Sequence, residues 1–166
     1  MPQTYDFIEK HRISRYFHSS LFKFKENMNQ NNKKAFIIAL NGDLGAGKTT
    51  WVRALLKALG FNNNVKSPTF NYVNEYPVNI PDFKDIKILY HFDMYKIDDK
   101  SSFYELGLSE LFEEDFAICV IEWPDKVSGL ISKPNIIINF SNKVSDNKLK
   151  TDIELKMKDI KFFTKV

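Results

Sequence analysis

The sequence predicts a three-layer α/β fold with a mixed, mainly parallel sheet and antiparallel edge strands. Three observations carry that expectation. The runs Ala35–Asn41 and Ala117–Trp123 are apolar without alternation, as strands buried on both faces must be. Helical periodicity lies between them, most clearly over 48–59, where Val52, Leu55, Leu56 and Leu59 share one side. Residues 149–157 alternate Lys150, Asp152, Glu154 and Lys156 with Thr151, Ile153, Leu155 and Met157, the pattern of a one-sided antiparallel strand. The chain has 166 residues, 43% of them hydrophobic and 15 of them Phe, enough for one substantial core, so a single domain over 1–166 is expected.

Taken in order, Ile13, Phe17, Leu21 and Phe24 make 11–26 an amphipathic helix, and the Asn-rich tract 27–34 reads as a loop. Strand 35–41 follows, then helix 48–59, with Gly60 as its C-terminal stop. Beyond an Asn-rich loop at 62–64, extended segments are expected at 70–78 and 87–97, separated by Pro77, Pro81 and a short insert. A helix over 101–114 precedes strand 117–123, and Pro124 can open a short helix. Strands at 135–140 and 149–157 close the series, and no internal repeat is present.

Composition excludes several classes. The longest apolar run, Ala35–Leu40, is far short of the ~18 residues that span a bilayer. The N-terminus carries no apolar stretch of signal-peptide length, and the single Cys119 excludes an internal disulfide framework. A cytoplasmic protein with no membrane partner is expected. Net charge is +3, and the excess lies in 143–166, where seven Lys face four acids. A solvated Lys-rich edge explains that better than an RNA surface. Segment 98–115 runs the other way, with seven acids and one Lys, and reads as a solvated helix face.

Residues Gly42-Asp43-Leu44-Gly45-Ala46-Gly47-Lys48-Thr49 match the phosphate-loop pattern G-x-x-x-x-G-K-[ST] in full, directly after a buried strand and directly before an amphipathic helix. The chemistry needs these residue types. Gly lets successive backbone N–H groups converge on an anion, and the helix N-terminus adds partial positive charge. Lys48 can reach the β- and γ-phosphates, and the Thr49 hydroxyl can ligate Mg²⁺. The chain is therefore expected to bind a nucleoside triphosphate, within a P-loop NTPase-like domain.

Such a site also needs an acid at the end of a neighbouring strand. Asp93 follows the apolar run 88–92 and Glu122 follows 118–121. Either alone reads equally well as a solvated strand-end acid. The two together, in a chain with a phosphate loop, point to function. His91 reads as a ligand neighbour or, at least as well, as a packed or hydrogen-bonded structural histidine. Trp51 and Trp123 read as core, with Trp123 also able to cover the nucleotide pocket.

The ordered motifs GDLGAGKTT (42–50), SPTF (67–70), HFDMYK (91–96), ELGLSEL (105–111) and IEWPDKV (121–127) closely resemble the TsaE (YjeE) family over roughly residues 35–130. That family comprises small bacterial ATPases required for making threonylcarbamoyladenosine in tRNA. The resemblance implies that the 42–50 loop, including Thr50, holds ATP with Mg²⁺, and that Lys48 and Thr49 serve phosphate and metal. It implies that Asp93 acts near the metal and in activity, that Glu122 takes a Walker B-like role, and that Trp123 lies beside the nucleotide. Ser67–Phe70, with Thr69 the contact, match a switch-like loop near the γ-phosphate. The resemblance further implies a TsaD-like catalytic protein and a TsaB-like protein as partners, reset by ATP between turnovers, with an indirect or weak tRNA contact left open. Lys96 stands where the family usually has Arg, and the insert around Val78–Lys87 is longer than typical.

Two other classes share a strand–phosphate loop–helix opening. Small-molecule kinases clamp the transferring phosphoryl with lid arginines, whereas no Arg follows Arg53 here. A GTPase would need N-K-x-D, and Asn142-Lys143-Val144-Ser145 lacks the Asp. A non-hydrolysing, nucleotide-gated binding module shares the same ATP site. With no evident arginine finger in the chain, slow hydrolysis alone and faster hydrolysis with partners is expected.

Overall fold

The computed structural model describes residues 17–26, 34–145, 148–157 and 160–162. The expected loop at 27–33 and the start of the first helix, including Ile13, lie outside them. Helix α1 (17–26) leads to β1 (Phe36–Asn41), α2 (Lys48–Ala58), β2 (Val73–Pro77) and β3 (Ile88–Asp93). Short helices α3 (Lys100–Glu105) and α4 (Leu108–Leu111) precede β4 (Ala117–Glu122) and a 3₁₀ turn over Pro124–Val127. Strands β5 (Ile136–Ser145), β6 (Lys148–Met157) and β7 (Ile160–Phe162) follow.

The strands form one mixed sheet in the order β2-β3-β4-β1-β5-β6-β7. Its centre, β3-β4-β1-β5, is parallel throughout, and antiparallel pairs extend it through β2 on one side and β6 and β7 on the other. The absence of alternation in β1 and β4 has a direct cause, because both faces are covered. Phe36, Ile38 and Leu40 of β1 pack with α1 (Phe17, Leu21), α2 (Val52, Leu55, Leu56) and the insert (Val78, Ile80, Phe83). Ile37 and Ala39 join Phe92, Phe103, Leu108, Phe112 and Val127 on the opposite face. The insert thus serves as core, and its Phe83 meets Phe22 of α1 edge-on at 5.1 Å.

Four element boundaries differ from the sequence expectation. The helix expected over 101–114 is two helices, because Gly107 sits at φ 69°, a left-handed conformation that ends α3 and caps α4. Strand β2 begins at Val73 rather than near 70, since Pro68 opens a turn closed by Asn71 N–H to Pro68 O at 3.0 Å. Strand β3 stops at Asp93, and the chain turns through Ile97 N–H to Met94 O at 3.1 Å. At the far side β5 and β6 run as one long hairpin, and β7, which the sequence did not signal, pairs with the end of β6.

Candidate functional site

Three parallel strands end side by side. In register, Leu40 of β1 lies opposite Glu122 of β4, which lies opposite Asp93 of β3. Alternation puts Glu122 on the same face as Ile118 and Val120, the face covered by α2. Residues 42–47 connect β1 to α2 immediately above, so α2 begins over the two acids.

The loop is built for close approach. A Cβ on Gly42 would sit 2.9 Å from both Cβ and O of Phe140 on β5, so only glycine fits there. Gly47 is the N-cap of α2 and supplies no side-chain cap, and the first turn carries no acid. The leading N–H groups of α2 therefore keep their capacity to bind an anion. Lys48 is buried, and its ammonium donates to Gly42 O at 2.6 Å and Asp43 O at 2.8 Å while lying 4.1 Å from the centre of the Trp123 ring. Burial lowers its pKa from the ordinary lysine value, and the charges of Glu122, Asp93 and Asp43 oppose that shift.

The acids are held in place. Glu122 Oε1 accepts from the Thr49 hydroxyl and from His91 Nε2, both at 2.8 Å. Asp93 Oδ2 accepts from the Thr69 hydroxyl at 2.6 Å and from Ser67 at 3.4 Å, and its Oδ1 accepts from Tyr95 N–H at 3.0 Å. Trp123 adopts φ 59°, which ends β4 abruptly, and its ring packs 5.1 Å from Tyr95.

These segments enclose a cleft of about 240 Å³. Of the residues expected to serve the site, Leu44, Gly45, Ala46, Gly47, Lys48, Thr49, Thr50, Thr69, Asp93, Glu122 and Trp123 line it. Gly42 and Asp43 do not, and act instead through the carbonyls that hold Lys48. Ser67 and Tyr95 also line the cleft, and Tyr95 was not singled out from sequence. The available signal was the His91, Asp93 and Tyr95 spacing of the HFDMYK motif, although Tyr95 lies in the turn that follows β3.

Converging N–H groups, a buried ammonium and a hydroxyl suit a polyphosphate. Among the described residues no group of three or more His, Cys, Asp or Glu could hold a metal ion by itself. Mg²⁺ characteristically takes one or two carboxylates and completes its shell with substrate phosphates and water. The Thr49, Asp93 and Glu122 set fits that mode of binding and no all-protein cage.

Comparison with known proteins adds an independent line. Residues 4–151 match the family model described as threonylcarbamoyl adenosine biosynthesis protein TsaE. The chain is 43% identical to the tRNA threonylcarbamoyladenosine biosynthesis protein TsaE of Haemophilus influenzae over 107 residues, 64% of this chain and 63% of that one. It is 40% identical to the protein of that name from Rickettsia typhi over 119 residues, covering 71% of this chain and 76% of the relative. The crystal structure of Bacillus subtilis YdiB superposes with a TM-score of 0.50 at 26% identity, covering 75% of this chain and 70% of that one. The match thus spans just under two thirds of the Haemophilus protein.

Proposed function

The chain belongs to the TsaE family, and from that premise we propose that it serves threonylcarbamoyladenosine modification of tRNA as an ATP-binding and ATP-hydrolysing accessory protein. We read 1–166 as one P-loop NTPase-like domain that acts on a TsaB–TsaD-type pair. The observation that carries the reading is the in-register meeting of Asp93 and Glu122 beneath a complete phosphate loop, with Thr49 bonded to Glu122.

The residues divide the work by their chemistry. The N–H groups at the start of α2 orient the phosphates, and Lys48 neutralises charge at the β,γ-bridge. Mg²⁺, when bound, screens phosphate charge and polarises the γ-phosphoryl group. Thr49, Asp93 and Glu122 hold that ion or its waters, and one of the two carboxylates orients the attacking water. The Trp123 ring closes one wall and keeps water away from Lys48.

Among the described residues, no guanidinium is free to act as a mobile finger. Arg53 Nε donates to Val65 O at 3.0 Å and is committed to holding the 60s loop. A missing arginine finger costs ~10³–10⁵ in rate. Turnover of ATP by the purified chain, alone and with a TsaB–TsaD pair, tests the reading. A slow basal rate that rises on adding the pair supports it. A rate indifferent to the pair but raised by a small hydroxyl acceptor would identify a kinase instead.

A further inference from the structure

His91 stands in the middle of β3, between Asn74 of β2 and Val120 of β4, and is fully buried. Its Nε2 is 2.8 Å from Glu122 Oε1, while its Nδ1 is buried with no hydrogen-bond partner among the described residues. A carboxylate accepts, so the hydrogen of that contact is on Nε2. A ring serving only to fill space would pack as well as Leu or Phe without stranding a polar atom. The contact with Glu122 is what the imidazole adds.

Thr49 and His91 donate to the same atom, Oε1, from opposite elements, one on α2 and one on β3. Two donors converging on one oxygen fix the rotation of the carboxylate about its last bond and leave Oε2 as the oxygen able to accept from the cleft that Glu122 lines. We propose that His91 is a positioning residue, which with Thr49 locks the Glu122 carboxylate so that Oε2 alone serves the water or metal shell of the nucleotide site. This deepens the ATPase reading above and rests on it. The function of His91 lies in supplying an Nε2–H at a fixed place.

The test has an arm that needs no turnover. In the full-length wild-type chain, ¹⁵N-histidine NMR reports each imidazole separately; there are three His, and His91→Gln identifies the signal. The expected result is hydrogen on Nε2, and a ring with Nε2 bare would overturn the proposal. In kinetics with the partner pair, His91→Leu should lower kcat ~10–100-fold, the usual cost of losing such a supporting contact, with KM for ATP nearly unchanged. His91→Gln, whose amide nitrogen can occupy the place of Nε2, should recover most of that loss. In a Glu122→Gln background, His91→Leu should cost nothing further, because its effect passes through Glu122. Multiplying losses, or a raised KM at unchanged kcat, would overturn the proposal. A wild-type chain without ATP turnover would sink the ATPase reading, and the NMR arm would still decide the geometry.

Discussion

At Lys48, burial and charge pull in opposite directions: desolvation depresses the ammonium while three nearby carboxylates support it. The two carbonyls that hold it belong to the loop itself, so Lys48 braces the phosphate loop as well as reaching into the cleft. Lys48→Ala should therefore weaken ATP binding by at least ~10-fold, given ~1.5–3 kcal/mol for a charged hydrogen bond. Its fold should survive, because the core clusters do not include this side chain. Calorimetric titration with ATP and circular dichroism check the two halves; undiminished affinity would remove Lys48 from the site. Gly42→Ala is expected to fail differently. The added methyl meets Phe140 backbone and Cβ at 2.9 Å, and such overpacking costs ~1–3 kcal/mol, read from a urea midpoint. At this scale the sequence was most legible where the cleft lining is contiguous, as in 44–50 and at Trp123 beside Glu122. It was least legible at Tyr95 and in the role of His91, because what they touch is set by the register between β3 and β4. Pattern alone left His91 open between a ligand neighbour and a packed or hydrogen-bonded structural histidine, and the distance to Glu122 adds that its partner is an acid of the cleft.

The elements show which local signals decide and which are overridden. Both central strands, α2 and the Pro124 turn were legible, since an unbroken apolar run or a helical stripe reflects burial directly. The 101–114 segment misled because its helical periodicity continues through Gly107, whereas the backbone there turns left-handed. Pro68 similarly moved the start of β2, and β7 is too short to carry a period. Helix α3, being only six residues, depends on its cap: the Asp99 carboxylate accepts from Ser102 N–H at 2.8 Å and from Ser101 Oγ at 2.7 Å. Those bonds, the Ser101 hydroxyl first, hold the carboxyl below its ordinary value of 3.8. A depressed folded-state pKa means the cap's contribution is fully present above that ordinary value and fades as pH falls through the lower one. Asp99→Ala should lower the urea midpoint at neutral pH, and the gap to wild type should close as pH is taken below 3.8. A gap that persists in acid would mean that the side chain acts by packing and not as a cap. Joining α3 to α4 is the converse experiment. Gly107→Ala places a side chain at φ 69° and should destabilise by ~1 kcal/mol rather than extend a helix, measured by the same midpoint.

For the whole molecule the sheet is a partition: one core lies against α1, α2 and the insert, the other against α3, α4 and the 3₁₀ turn. The proposed ATP site bridges the two, because Thr49 belongs to α2 on one side while Trp123 packs against the cluster on the other. Cys119 offers a probe of how firmly they hold together. It lies in β4, in register with Ile37 of β1 and Tyr90 of β3, and is fully buried, with its thiol pushed well above the ordinary value by burial. Protonated and inaccessible, it should not react with a thiol reagent until the sheet opens, so its labelling rate reports the population of the open chain. A ligand that binds only the folded chain lowers that population by the factor 1 + [L]/Kd, or ~100-fold and about 2.7 kcal/mol at a hundredfold excess over Kd. Labelling of Cys119 should thus slow by about two orders of magnitude in saturating ATP and Mg²⁺, and in Lys48→Ala, with affinity reduced at least ~10-fold, the same nucleotide concentration should slow it by ~10-fold or less. Undiminished slowing in Lys48→Ala would put the nucleotide elsewhere on the chain. Rapid labelling of the wild type without any denaturant would mean that β4 is not held between its two neighbours, and with it the alignment of Asp93 and Glu122 would fall.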